Sequence, residues 1–248
     1  MSRPRLDLIN DQAGATDLVV LAHGGQEHSR EDPHDRRPSL LRMWPFAAAA
    51  HRAAPEASIG LIRYRYRGWN GVDADAMSDL RQVLDGLPAR IRRVALIGHS
   101  MGGRAAMRCG DRPRVVGVLG LAPWLPEGEP VPDLGGRLVV TAHGDEDQMT
   151  SPRATGLFVQ RLRRQGTEVA EFAVAGDTHA LLHRHGDWDE LVRRFVASCF
   201  GVTVDPELAL ALAPDADRPA APLPRWSRSR GRLGAVVSIA RSRARAPR

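Results

Sequence analysis

The stretch LIGHSMGGRAAM, residues 96–107, ends an apolar run in Gly-His-Ser-Met-Gly-Gly and passes at once into an Ala/Met segment. A serine hydroxyl is a weak nucleophile until a base removes its proton. Gly98-His99-Ser100-Met101-Gly102 fits G-x-S-x-G, in which the serine sits on a tight, strained turn between a strand and a helix. The small residues two before and two after let neighbouring backbone approach. The plainer reading is a glycine-rich loop that happens to contain serine. What decides between them is whether the chain also supplies a base, an acid and a pair of N–H groups for an oxyanion.

Histidine suits the base because it titrates near neutrality. The segment AGDTHALLHRHGDW offers His179, His183 and His185. His179 directly follows the turn Gly176-Asp177-Thr178 and is the best placed; His183 and His185 read as solvated loop histidines. A zinc site from the three is conceivable by spacing, but a nucleophilic serine needs no metal. The segment AHGDEDQMTSP presents Asp145, Glu146 and Asp147. One of them would accept the His179 N–H. The others read as loop acids or helix N-terminal charges, and the residue types leave the choice open. For the oxyanion, Met101 follows the serine, and LAHGGQ supplies Gly25 with Gln26 as its neighbour. His23 would brace that loop. Gln26, Trp69 and Trp124, with Leu125, are candidates to line the substrate site.

These residues must be gathered by the fold. Short apolar runs at 17–22, 58–66, 92–98, 114–122, 136–144 and 167–176 read as buried strands. Helical spacing occupies 40–52, 73–87 and 102–109 between them. Ser151-Pro152 looks like an N-cap with proline in the first turn of a helix running to about Arg164, and Gly166 supplies its stop. Asp187 and Glu190 resemble a capping box before a final helix with one apolar face. Strand and helix alternating about five times imply a mostly parallel sheet covered on both faces. Ligands of such sheets sit beyond the carboxyl ends of the strands, where His23, Ser100, Asp147 and His179 all fall.

With these pieces in place the chain resembles the α/β-hydrolase superfamily. The matching segments are HGG at 23–25, YRYRGWN at 64–70, GHSMGG at 98–103, HGDEDQMTSP at 143–152 and GDTH at 176–179, in the order serine, acid, histidine. The resemblance covers about residues 17–200. It implies a serine-nucleophile hydrolase with an acyl-enzyme intermediate, a small-molecule acyl substrate and no cofactor. Its HG-x-x-D pattern places the acid at Asp147. Esterase activity on modest-sized substrates is the leading expectation. Thioesterase or acyltransferase activity with the same residues, or a non-catalytic binding protein of the same fold, are the alternatives. Two departures bear on the site. The opening antiparallel hairpin is missing or reduced to RLDLI, and only WLPEGEPVPDLG stands where many relatives insert a helical cap. The expected site is therefore open and lidless, with HGGQEHSREDPHDRR, rich in His and acids, as a mobile polar rim in preference to a metal loop.

Length and composition fit one soluble domain: 248 residues, 43% hydrophobic, two widely separated cysteines and no apolar signal core at the N-terminus. A cytoplasmic protein is expected; the oligomeric state is left open. All 35 basic residues are arginine, which reads as coding bias. Residues 214–248 carry nine arginines against two aspartates, a net +7, so the remainder of the +6 chain sums to −1. We therefore divide the chain into an N-terminal segment, 1–16, a hydrolase-like domain, 17–213, and a disordered Pro/Arg/Ser-rich tail, 214–248. No nucleic acid is required. The tail could touch an anionic surface weakly, but a passive extension is the simpler reading. On this division, removing everything after Ala213 should leave cooperative unfolding intact.

Overall fold

A computed structural model describes residues 3–32 and 38–227. Eight strands form one sheet: β1 (Arg5–Asn10), β2 (Asp17–Ala22), β3 (Ser58–Arg63), β4 (Arg93–His99), β5 (Val115–Leu121), β6 (Leu138–Gly144), β7 (Val169–Val174) and β8 (Ala221–Pro222). Their spatial order is β1-β3-β2-β4-β5-β6-β7-β8. Every pairing is parallel except β1 with β3. Parallel strands covered on both faces must be apolar on both, and β4 is: Val94 and Leu96 point into one core, Ala95 and Ile97 into the other.

The first core lies under α2 (Met43–Ala53), α6 (His185–Phe200) and α7 (Pro206–Ala211), with Phe46, Trp188, Phe195 and Leu208 buried against the sheet. A one-turn α1 (Pro38–Leu41) precedes α2. The second core lies under α3 (Asp75–Asp85), α4 (Met101–Arg108) and α5 (Pro152–Arg164), with Leu80, Met107 and Phe158 buried. Helix α5 begins as its sequence requires: Ser151 accepts the Ala154 N–H at 3.1 Å and Pro152 opens the first turn. Between β5 and β6 no helix is inserted. That loop is instead pinned across α4, where buried Glu129 meets Arg104 at 2.6 Å and Arg108 at 3.1 Å.

Two boundaries move. RLDLI is a full edge strand, β1, paired antiparallel with β3, so the N-terminal segment belongs to the sheet. The tail also starts later than residue 214. Ala221 and Pro222 pair with Phe172 and Ala173 of β7, and Leu223 is buried. Arg184 donates to the carbonyls of Leu223 and Pro224 at 3.0 and 2.8 Å. Asp187 accepts the N–H groups of Trp226 and Ser227 at 2.9 and 2.8 Å. A Pro/Arg composition hides this strap, because its anchors are backbone groups gripped by a buried ion pair (Arg184 Nε to Asp187 Oδ2, 2.9 Å). It also corrects Asp187, which lies inside α6 and caps the strap instead of the helix. The rest of the expected tail, 228–248, falls outside the described residues.

Deleting residues 214–248 therefore uncovers Leu223's site and strips partners from buried Arg184 and Asp187. We expect a loss of at least ~2 kcal/mol in urea unfolding, whereas truncation after Ser227 should leave the midpoint unchanged. Equal midpoints for the two truncations would show that the strap contributes nothing.

Candidate active site

The carboxyl ends of β2, β4, β6 and β7 bring the chemistry-bearing residues together. Ser100 sits between β4 and α4 at φ 57°, ψ −122°, a left-handed conformation that costs a non-glycine residue about 1–3 kcal/mol. The surrounding backbone imposes it. A Cβ on Gly98 would fall 2.2 Å from the Gly102 carbonyl oxygen, and one on Gly102 would fall 2.1 Å from that of Ala22. Only glycine allows three backbone segments to meet there. The Ser100 N–H donates to Leu121 at 3.1 Å, and the Ser100 carbonyl accepts from Trp124 at 3.0 Å.

His179 follows β7, and its Nδ1–H donates to Asp147 Oδ2 at 2.8 Å. Asp145 points elsewhere: its Oδ1 accepts the Gly176 N–H at 2.8 Å. Of the three acids in the loop, Asp147 is thus the one bonded to the histidine. Its carboxylate is nearly saturated. Oδ1 accepts from the Met149 and Thr150 N–H groups at 2.8 and 3.0 Å; Oδ2 accepts also from the Thr150 hydroxyl at 2.8 Å and from His143 Nε2 at 3.0 Å. Burial pushes this carboxyl up, but the hydrogen bonds from His143, His179 and Thr150 outweigh it and hold it well below the usual range.

Ser100 and His179 are linked through His99. The His99 Nε2–H donates to the His179 carbonyl at 3.0 Å, and the two rings lie 4.8 Å apart. Burial drives His99 down to about 3, so it is a neutral donor. No hydrogen bond joins the Ser100 hydroxyl to the His179 ring in this structure. Gly24 lies against Ser100, where an added Cβ would be 3.2 Å from the Ser100 Cβ. His23 donates from Nδ1 to the Gly24 carbonyl at 2.7 Å and packs edge-on against Tyr64. Burial lowers it to about 4, so it braces the loop uncharged. Among the described residues, no acceptor is paired with the N–H groups of Gly25 or Met101. At the first position of α4, Met101 has no acceptor within its helix.

Several expected site residues take other roles. The Gln26 N–H is used by the Arg67 carbonyl at 2.8 Å, and the Gln26 carbonyl by Trp69. The expected mobile rim is a fixed one over 26–31, zipped to 67–70 by Gly68 to Ser29, Asn70 to Glu27 and Arg67 to Glu31; residues 33–37 lie outside the described residues. Trp69 and Leu125 are fully buried. Trp69 stacks under the Arg104 guanidinium, 3.8 Å from its ring centre, because aromatic area at a strand end is worth more in the core than in water. Trp124 is half-buried, with Arg104 4.6 Å from its ring centre. His183 is exposed and faces the Gly176 carbonyl at 2.9 Å, away from Asp147. Among the described residues, no three His, Cys, Asp or Glu converge as a metal site, and no helix is long and apolar enough to cross a membrane.

One organiser escaped the sequence reading altogether. Asp177, wholly buried, accepts from the N–H groups of Thr178 (2.8 Å), His183 (3.3 Å) and Arg184 (2.9 Å) and from Trp188 Nε1 (2.8 Å). It folds the loop that carries His179. A groove of about 560 Å³ opens beside His179, between residues 145–149 and 178–180.

A family comparison agrees with this geometry: the alpha/beta hydrolase family matches residues 19–244. The chain belongs to the alpha/beta hydrolase family. No protein of curated function matches it by sequence. Among solved structures, the Bacillus cereus carboxylesterase is similar at 17% identity and TM-score 0.57, covering 81% of this chain and 95% of that one. Est1E from Butyrivibrio proteoclasticus with ferulic acid bound is similar at 15% identity and TM-score 0.56, covering 78% and 93%. A serine hydrolase without lid from Xanthomonas campestris is similar at 17% and 0.53, covering 77% and 86%. At these identities the likeness establishes the shared hydrolase fold.

Asp177→Asn replaces one acceptor oxygen with a donor facing buried N–H groups. We expect a loss of about 2–4 kcal/mol in urea denaturation; an unchanged midpoint would remove Asp177 from its organising role.

Proposed function

We propose that this chain is a serine hydrolase that cleaves carboxylic esters of modest size through an acyl-enzyme. The observation that carries the reading is the 2.8 Å bond from His179 to Asp147, formed beside a serine held in a left-handed turn. Asp147 fixes the ring with Nδ1 protonated, which leaves Nε2 free to take the Ser100 proton once the hydroxyl turns to it. Catalytic hydrogen bonds are often long before substrate binds, so the missing Ser100–His179 bond does not count against this step.

Ser100 Oγ attacks the ester carbonyl as its proton passes to His179. The oxyanion of the tetrahedral intermediate is met by the N–H groups of Gly25 and Met101. His179 returns the proton to the departing alcohol, leaving the acyl group on Ser100. Water, deprotonated by His179, then releases the acid. The half-buried Trp124, next to the Ser100 backbone, serves as a wall of the site. The open edge and the groove beside His179 favour small acyl and alcohol parts. The neighbouring folds support the bond type: one is a carboxylesterase, and another holds ferulic acid, a small carboxylic acid.

A fluorophosphonate probe should label the wild type, and Ser100→Ala should lose both labelling and hydrolysis of 4-nitrophenyl esters. Labelling of the alanine variant to the same extent would remove Ser100 as nucleophile. Asp147→Asn should lower kcat by up to about 10⁴-fold by presenting the wrong imidazole tautomer, with Asp145→Asn changing it little. The reverse order in folded variants would move the acid to Asp145. Acetyl to octanoyl esters, followed by a thioester, would map the acyl group accepted.

A further inference from the structure

The reaction as proposed uses one donor on Asp147 Oδ2, yet that oxygen carries two imidazoles. His143, in β6, is buried, and its Nε2 lies 3.0 Å from Asp147 Oδ2. A carboxylate oxygen only accepts, so the proton is on Nε2. The opposite nitrogen, Nδ1, lies 3.0 Å from the Thr155 hydroxyl in α5. That hydroxyl has one proton, and its other acceptor, the Pro123 carbonyl, is farther off at 3.5 Å. Thr155 therefore donates to Nδ1 and fixes His143 as an Nε2–H donor. The chain Thr155–His143–Asp147–His179 runs from the second core to the reacting edge.

We propose that His143 is a positioning residue for the acid–base pair: its N–H shares Asp147 Oδ2 with His179, orients the carboxylate and weakens its pull on the His179 N–H. This rests on the reading of Asp147 and His179 as acid and base. An oxygen that already accepts from His143 and Thr150 has less charge to offer an imidazolium. Remove the His143 donor, and the same oxygen becomes a stronger acceptor for His179, which then holds its proton to higher pH. The charged and titratable groups facing this oxygen and the His179 ring come from several elements. His143 and Asp147 come from β6 and its loop, and His99 from β4. Arg42, which precedes α2, adds a positive field that opposes protonation of His99. Asp145 is turned to Gly176 and supplies no competing acceptor.

The test reads His179 directly. In protein labelled with ¹⁵N-histidine, the His179 ring is assigned by its loss in His179→Gln and titrated by NMR. In His143→Leu the His179 midpoint should move to higher pH by about half a unit or more, the scale on which a lost hydrogen bond to the partner shifts an imidazole. Thr155→Val, which keeps the volume but frees Nδ1, should move it the same way by less. His143→Gln, whose amide can donate to Asp147, should bring it back toward wild type. The acid limb of kcat/KM on a 4-nitrophenyl ester should follow these midpoints. A merely structural His143 would lower thermal stability and leave the midpoint where it was. An unmoved midpoint in both His143→Leu and Thr155→Val overturns the proposal, and Thr155→Val alone decides it should His143→Leu fail to fold. If instead the midpoints move but wild type takes no fluorophosphonate at Ser100, the hydrolase reading has failed and the positioning of the His179–Asp147 pair stands.

Discussion

Everything at the reacting edge depends on three backbone segments meeting at Ser100. The turn between β4 and α4 is tight because Gly98, Gly102 and Ala22 approach closer than any side chain would permit. That contact forces Ser100 to positive φ and joins β4 and α4 to the end of β2. It also brings Gly25 and Met101 close, since they belong to the two segments being pressed together. The strain is local and is held by the two cores on either side of the sheet, each of which sends a helix or strand to the contact. The backbone angles of Ser100 therefore follow from sheet packing, and the serine side chain is a passenger on it.

Around that point the fold uses histidines in two ways. His23 and His99 are buried, driven well below neutrality by burial, and act as fixed N–H donors to backbone carbonyls. His143 and His179 instead pair their rings with the Asp147 carboxylate, and of these two His179 lines the groove. A buried uncharged imidazole is a rigid planar donor that needs no counter-charge. Loop 176–188 is organised differently, around the Asp177 carboxylate, which accepts from four donors. Both devices hold polar loops at a sheet edge where water is partly excluded and unmet donors would be costly.

What could be read from the sequence was what depends on local pattern. The strands 17–22 and 92–98, the Ser151-Pro152 start of α5 and the G-x-S-x-G turn are all short-range signals, and they recur in the structure within a residue or two. The meeting of Ser100, Asp147 and His179 at one edge followed from strand–helix alternation, because parallel strands share their carboxyl ends. Partner choice was not legible. Asp177 reads as a turn residue, His99 as the free position of a motif and His143 as the opening of another; each gains its role from an atom more than ten residues away or on another element. Trp69 and Trp124 look alike as aromatics near strand ends, yet packing against Arg104 buries one and leaves the other partly open. The strap at 221–227 was missed because proline and arginine resemble linker composition, and only the β7 edge and the Arg184–Asp187 pair give it a place.

That strap has a consequence for the order in which the protein is made. The clamp on loop 176–188 closes late in the chain: Arg184 and Asp187 meet these partners only when residues 223–227 have emerged. Domains consolidate from the N-terminus as synthesis proceeds, so β1 to β7 and the elbow at Ser100 would assemble first. The histidine loop would wait, with a buried arginine and aspartate still uncovered. A chain that stopped short of residue 223 would leave Arg184 and Asp187 without these partners, and the loop that carries His179 would lose its outer clamp.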